Sequence, residues 1–247
     1  MRGWISGSTT ERTEPARADP PRRRSRARPV ERRLNKKRRL LLLKGLVWLG
    51  GLAPLVWLIW RGLTDRLGAN PIEEVLHHLG DTALIYLLVT LSITPVRRIT
   101  GWNSLAPLRR PIGLFAFFYL TMHFLWYAIV DQTLDFEFII EDVVERPYIL
   151  AGFTAWLLLI PLAITSTKGW IRRLKKNWLR LHRLVYLSTG LGLLHFYWQV
   201  KADTYWPIVA ITVMVVLMLL RIRRRKPRRE RERTVAAKRP SQRSLAD

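Results

Sequence analysis

The sequence predicts an all-α fold: a polytopic membrane protein whose centre is a bundle of six transmembrane helices. Three observations carry this. Apolar and basic residues fall in separate blocks, although the whole chain is 49% hydrophobic and carries a formal charge of +24. Six apolar stretches recur, most of them long enough at about 1.5 Å per residue to cross a hydrocarbon layer of about 30 Å. The segments between them alternate between basic and acidic or neutral character. Alternating strand patterns are absent, and a helix is the form that satisfies its own backbone hydrogen bonds in lipid.

Residues 1–39 hold 14 basic and 4 acidic residues with almost no apolar run, which reads as a disordered basic arm. The first span, Leu40–Trp60, is apolar except for Lys44, and no small-residue cleavage site follows it. It reads as a retained anchor rather than a signal peptide. The further spans are Leu79–Pro95, Ile112–Val130, Tyr148–Thr165, Leu184–Val200 and Tyr205–Leu220. Together they make a membrane domain over residues 40–221, followed by a basic tail over 222–247.

Charge sets the expected orientation. Between the second and third spans lie Arg97, Arg98, Arg109 and Arg110 with no acid. Between the fourth and fifth lie Lys168, Arg172, Arg173, Lys175, Lys176, Arg180 and Arg183, again with no acid. The segment from Asp131 to Pro147 instead holds six acids against Arg146 alone. Lysine and arginine mark the cytoplasmic side, so both termini are expected there. The same segregation explains the high pI: the positive charge lies on one membrane face, where anionic lipid headgroups attract it, and no nucleic-acid partner is needed.

Cysteine is absent. This excludes disulfides, thiolate-held iron–sulfur clusters, cysteine-based zinc sites and thioether haem attachment. Histidine is left as the ligand to weigh, and only five are present. His123 and His195 each lie about eleven residues into their spans, at matching depth in helices that run the same way. An imidazole in hydrocarbon demands compensation. A hydrogen bond to a neighbouring helix is one form of it. The matched depth favours a second, in which the pair are axial ligands of one haem.

His182 lies thirteen residues before His195, about 20 Å along a helix, a spacing that suits a second haem. On an ideal helix the two side chains diverge by about 140°, so a shared face requires a kink near Gly190 or Gly192. An interfacial histidine facing lipid phosphate or a haem propionate is the equal alternative. His77 and His78 open the second span; neighbours point about 100° apart, so His77 is the candidate for an outer cofactor and His78 is interfacial. Arg97, Arg98, Arg109 and Arg110 are candidates for pairing with haem propionates or a flavin phosphate, with a solvated, lipid-facing role as the default for each.

The run Gly190-Leu-Gly-Leu-Leu-His195 lacks the third glycine, strand and acid of a dinucleotide fingerprint, and no P-loop, nucleophile elbow or zinc-protease motif occurs. The tail after Leu220 is too short for a flavin or nicotinamide domain, so a separate molecule would deliver electrons. Besides an electron carrier, a metal-ion reductase and a transporter or anchor with structural histidines remain open.

Several stretches taken in order resemble one family. They are His77-His-Leu-Gly-Asp-Thr-Ala-Leu84, Ile93-Thr-Pro-Val-Arg97, Arg109-Arg-Pro-Ile-Gly-Leu114, Thr121-Met-His123, Arg146-Pro-Tyr148, Thr165-Ser-Thr167, and Leu181-His-Arg-Leu-Val-Tyr186 followed by His195. They are spread over residues 41–221 and resemble the MsrQ (YedZ) family, haem-binding membrane subunits within the ferric-reductase-like transmembrane group. The resemblance implies a multi-pass protein of the bacterial inner membrane carrying haem b and FMN. It implies electrons taken from the quinone pool or a cytoplasmic flavin reductase and passed to a periplasmic molybdenum-cofactor enzyme, MsrP, which reduces methionine sulfoxide in oxidised proteins. The chain would then be an electron-transfer subunit rather than the catalytic one. His123 and His195 would be haem ligands, with His77 and His182 as further cofactor-binding candidates. Related NADPH oxidases place two histidines on each of two helices, whereas the third span here has His123 alone.

Overall fold

A computed structural model describes residues 27–200 and 204–222, with side chains over 38–200 and 204–221. The basic tail 223–247 and residues 1–26 of the arm lie outside the described residues. Residues 1–39 and 40–247 form two units. Of the first, the backbone of residues 27–39 is helical, so helix α1 (Ala27–Leu63) begins inside the arm expected to be disordered.

All regular structure among the described residues is helical. The long helices are α1, α2 (Pro71–Thr100), α3 (Arg109–Trp126) and α5 (Pro147–Ile164), with the shorter α8 (Leu184–Gln199) and α9 (Tyr205–Ile222). Among the described residues four stretches are long and apolar enough to cross a membrane: Arg38–Leu63, Pro71–Thr100, Asn103–Asp131 and Pro147–Ile164. The expected count of six is therefore met by four on length and hydropathy. Helix α8 has 16 residues, about 24 Å. It buries one face, Val185, Ser188, Thr189 and Leu193, and the polar groups there are satisfied: the Ser188 hydroxyl donates to Ala155 O at 2.8 Å and Thr189 to Val185 O at 2.7 Å.

Helix ends follow the local sequence. Asn70 caps α2 by accepting from the Glu73 amide at 3.4 Å, Pro71 occupies the first turn, and Glu73 and Glu74 complement the positive end. Gly101 ends it in the left-handed conformation (φ 73°), returning its N–H to Arg97 O. A 3-10 turn, Asn103–Leu108, leads into α3, which closes in a wide π-turn at Tyr127–Asp131. The acidic segment contains a helix that was not anticipated, α4 (Phe136–Glu145), capped by the Asp135 carboxylate on the amides of Glu137 and Phe138. The basic segment before α8 folds into α6 (Lys168–Leu174) and α7 (Lys176–Leu181), divided at Lys175, whose φ of 46° breaks the helix.

Helix α2 packs along α3 and α5 along α8, with α9 across α2 and α8. One apolar core joins Leu87, Leu91, Ala116, Leu159, Leu162 and Val185; another joins Leu58, Val75, Leu79, Ala83, Phe115 and Tyr119. The second core packs against α1 around Pro54, which lies inside the continuous helix. Pro54 has no N–H and its ring displaces the carbonyl of Gly50, four residues earlier. Tyr86 donates to that freed Gly50 carbonyl at 2.6 Å. Tyr119, fully buried, bridges the next rung: it accepts from Leu55 N at 3.1 Å and donates to Gly51 O at 2.7 Å. Gly51 is glycine because a Cβ there would overlap the Phe115 ring. Hydrocarbon supplies no partners for freed backbone groups, so neighbouring helices must.

Candidate functional site

Helices α3 and α8 bring His123 and His195 together, as the matched depth predicted. Their ring centroids lie 6.2 Å apart with an interplanar angle of 79°. Each ring is tied to a different neighbour. His123 Nδ1 lies 2.9 Å from Leu76 O on α2, and His195 Nδ1 lies 2.7 Å from Tyr148 O at the start of α5. A carbonyl only accepts, so each Nδ1 carries the proton and each Nε2 is left with its lone pair. That is the tautomer a metal ligand needs, with the carbonyl as the usual outer partner.

The spacing fits a metal between the rings. A ligating nitrogen lies about 2 Å from a metal, and the ring centre about 1 Å further, so a metal in line between two imidazoles separates their centres by about 6 Å. Among the described residues no three histidine, cysteine or acidic side chains cluster as a metal site. Two imidazoles without further protein ligands suit a group that brings its own equatorial nitrogens, which is what a haem does.

The rings pack on glycines. A Cβ on Gly80 would lie 3.1 Å from His123 Nδ1, and one on Gly152 would lie 2.8 Å from His195 Nδ1. An aromatic ring adds to the packing: Tyr148 stacks on His195 at 6.0 Å.

His77 does not open its helix. Because α2 begins at Pro71, His77 and His78 lie nearly two turns in. His77 Nε2 is occupied by the Gln199 side-chain amide, with Glu73 3.9 Å away, so the structure ties it to α8 rather than leaving it free. His78, read as interfacial, has a buried Nε2 without a hydrogen-bond partner.

His182 departs from the ideal-helix argument. Helix α8 begins at Leu184, and His182 sits in the turn that closes α7, with Nδ1 3.2 Å from Trp178 O and its ring stacked on Trp178 at 3.9 Å. The 140° divergence does not apply, and the break falls at residues 182–183 instead of Gly190 or Gly192. A cavity of about 220 Å³ lies here, lined by His182, Trp178, Arg109, Arg110, Thr90 and Ser166 among others. His182 Nε2 is buried without a hydrogen bond of ordinary geometry. Burial pushes this imidazole below its usual pKa, the Trp178 carbonyl opposes that, and nearby Arg109 lowers it further. Of the four arginine candidates the structure brings Arg109 and Arg110 to the cavity, whereas Arg98 reaches the carbonyl of Arg221 at 3.4 Å.

Sequence reasoning missed the two carbonyls and two glycines around the histidines, although a signal was present. Gly80-Asp-Thr-Ala83 recurs as Gly152-Phe-Thr-Ala155, and His123-Phe-Leu-Trp126 as His195-Phe-Tyr-Trp198, both shifted by 72 positions.

Residues 79–193 match the family model described as "Ferric reductase like transmembrane component". Curated relatives named "Protein-methionine-sulfoxide reductase heme-binding subunit MsrQ" extend the likeness. One from Caulobacter vibrioides is 46% identical over 184 residues, 74% of this chain and 88% of its own. One from Herminiimonas arsenicoxydans is 47% identical over 178 residues, 71% of this chain and 82% of its own. One from Xanthomonas oryzae pv. oryzae is 48% identical over 170 residues, 66% of this chain and 78% of its own. No solved structure matches.

Proposed function

The chain belongs to the MsrQ family, and from that premise we propose that it is a haem b electron-transfer subunit serving a methionine sulfoxide reductase. Electrons would enter from the quinone pool or a cytoplasmic flavin reductase and leave to a periplasmic, MsrP-type molybdoenzyme. The observation that carries this reading is the His123–His195 pair, 6.2 Å apart with both Nδ1 atoms tied to backbone carbonyls. A haem held there supplies a one-electron iron couple in a low-dielectric setting. The protein's own part is to fix both rings, set the basicity of their Nε2 atoms and keep water from the site.

The membrane placement belongs to the same proposal: six spans in the bacterial inner membrane, both termini cytoplasmic, with the arginine-lined cavity inward and the acidic segment outward. The lysine and arginine count supports it. His123 then lies about 12 Å along the helix from Asp131 at the outer end of its span. At the inner end Arg109 and Arg110, which line one cavity with His182, would pair with an anionic group, a haem propionate or the phosphate of FMN. His77 is carried in the proposal as a further cofactor-binding residue, with its Nε2 bonded to the Gln199 side chain.

The test is a spectrum and a delivery assay. Protein purified in detergent is expected to show a Soret band and a reducible α-band; their absence would leave the transporter or anchor reading. The reduced protein is then offered the periplasmic enzyme with methionine sulfoxide, or a ferric chelate. Reoxidation by the first supports the proposal. Turnover with the chelate alone would favour a metal reductase.

A further inference from the structure

We infer that Gly80 and Gly152 are matched positioning residues, each opening a backbone carbonyl to the Nδ1–H of one haem-ligating imidazole. The inference rests on the haem reading above and adds a role for residues that reading does not use.

The two sites have one construction. His123 bonds to the carbonyl four residues before Gly80, and His195 to the carbonyl four residues before Gly152. Each hydrogen bond spans 47 residues. Leu76, Gly80 and His123 correspond position for position to Tyr148, Gly152 and His195, inside the repeated Gly-x-Thr-Ala and His-Phe-x-Trp motifs. The α2–α3 pair builds one site and the α5–α8 pair builds the other.

Glycine has a specific purpose here. In a helix the Cα–Cβ bond tilts toward the N-terminus, so the side chain of residue i lies over the preceding turn, where the carbonyl of residue i−4 emerges. That carbonyl already accepts from the amide of residue i but retains a second lone pair. Removing the Cβ uncovers it. At both positions the three atoms nearest a Cβ all belong to the ligand imidazole and none to a neighbouring backbone. The space therefore serves the ring rather than a close approach of helices. It also carries a cost, since glycine is a poorer helix former than alanine.

The two contacts differ in tightness. A Cβ at Gly152 would stand 2.8 Å from Nδ1, closer than real Cβ atoms come, whereas at Gly80 the nearest approach is 3.1 Å and a shift of a few tenths of an ångström relieves it. A displaced ring loses its carbonyl partner, becomes a weaker base and stabilises ferric iron less. The midpoint potential therefore rises.

The test uses full-length holoprotein and three variants: Gly152→Ala, Gly80→Ala and, as control, Gly190→Ala on α8, whose Cβ would meet nothing within 4 Å. Readouts are haem per polypeptide, the ferric low-spin electron paramagnetic resonance signal and the midpoint potential. Gly152→Ala is expected to shift the signal and raise the potential, or to lose haem with its helical circular dichroism intact. Gly80→Ala should shift both the same way by less, and Gly190→Ala should match wild type. Should Gly152→Ala not accumulate, the milder Gly80→Ala decides on the same criteria. Full haem with wild-type signal and potential in the variants overturns the inference. Wild-type protein without haem overturns the reading beneath it as well, so the two failures are distinguishable.

Discussion

Replacing Tyr119 by Phe should test how the membrane domain tolerates the proline in α1. The hydroxyl of this fully buried residue makes two bonds, accepting from Leu55 N at 3.1 Å and donating to Gly51 O at 2.7 Å. Phenylalanine keeps the ring and its packing against Tyr86 at 5.6 Å, so the loss is confined to hydrogen bonding. Interhelical hydrogen bonds in membranes contribute about 0.6 kcal/mol on average and up to about 1.7 kcal/mol. Two bonds to backbone groups with no water available place the expected cost at about 1–3 kcal/mol. Reversible unfolding in mixed micelles measures it. A second background sharpens the test. With Pro54→Ala the amide at position 54 returns, and without the proline ring crowding that turn Leu55 N can bond Gly51 O directly. There Tyr119→Phe should cost less than half as much. An equal cost in both backgrounds, or a cost below about 0.3 kcal/mol with proline present, would refute the account.

Replacing His123 or His195 by Ala should abolish the haem spectrum, while His78→Ala should leave it intact; the reverse pattern in the absorption spectra would displace the ligand assignment. Arg221 donates to Leu91 O and to the Tyr186 hydroxyl and lies 5.0 Å over the Tyr186 ring. Arg221→Met should therefore lower stability by about 1–3 kcal/mol in the same unfolding assay, and no loss would mean that these contacts are replaceable. The depressed pKa of His182 has a definite sign. The folded state prefers the neutral ring, so its contribution is present above the unfolded pKa of about 6.5 and declines as pH falls through that value toward the folded one. Melting curves between pH 8 and pH 5 should show wild type losing more than His182→Gln; parallel profiles would exclude the effect.

Much of this was legible in the amino-acid order because membrane helices are local objects. Hydrocarbon forces each backbone to bond within its own segment, so the apolar stretches mark α1, α2, α3 and α5 directly, and α8 and α9 were expected from the same signal. The depth of His123 and His195 followed from counting along their spans. Their contact did too, since two residues at one level of a bundle have few places to go. The sequence by itself therefore determined an all-helical membrane chain, its charge asymmetry, and imidazole as the ligand chemistry left open once cysteine was absent. What only the tertiary structure decided depends on helix rotation and on partners far along the chain. It supplied the Leu76 and Tyr148 carbonyls that fix each tautomer from 47 residues away. It put the break before α8 at His182, where a left-handed Lys175 and a folded basic segment replace a continuous helix. It made α4 from a loop, and it showed Tyr86 and Tyr119 mending the rungs opened by Pro54. Hydropathy has no sensitivity to which face of a helix turns inward; packing against neighbours sets that, and packing is where the glycines acquired their purpose.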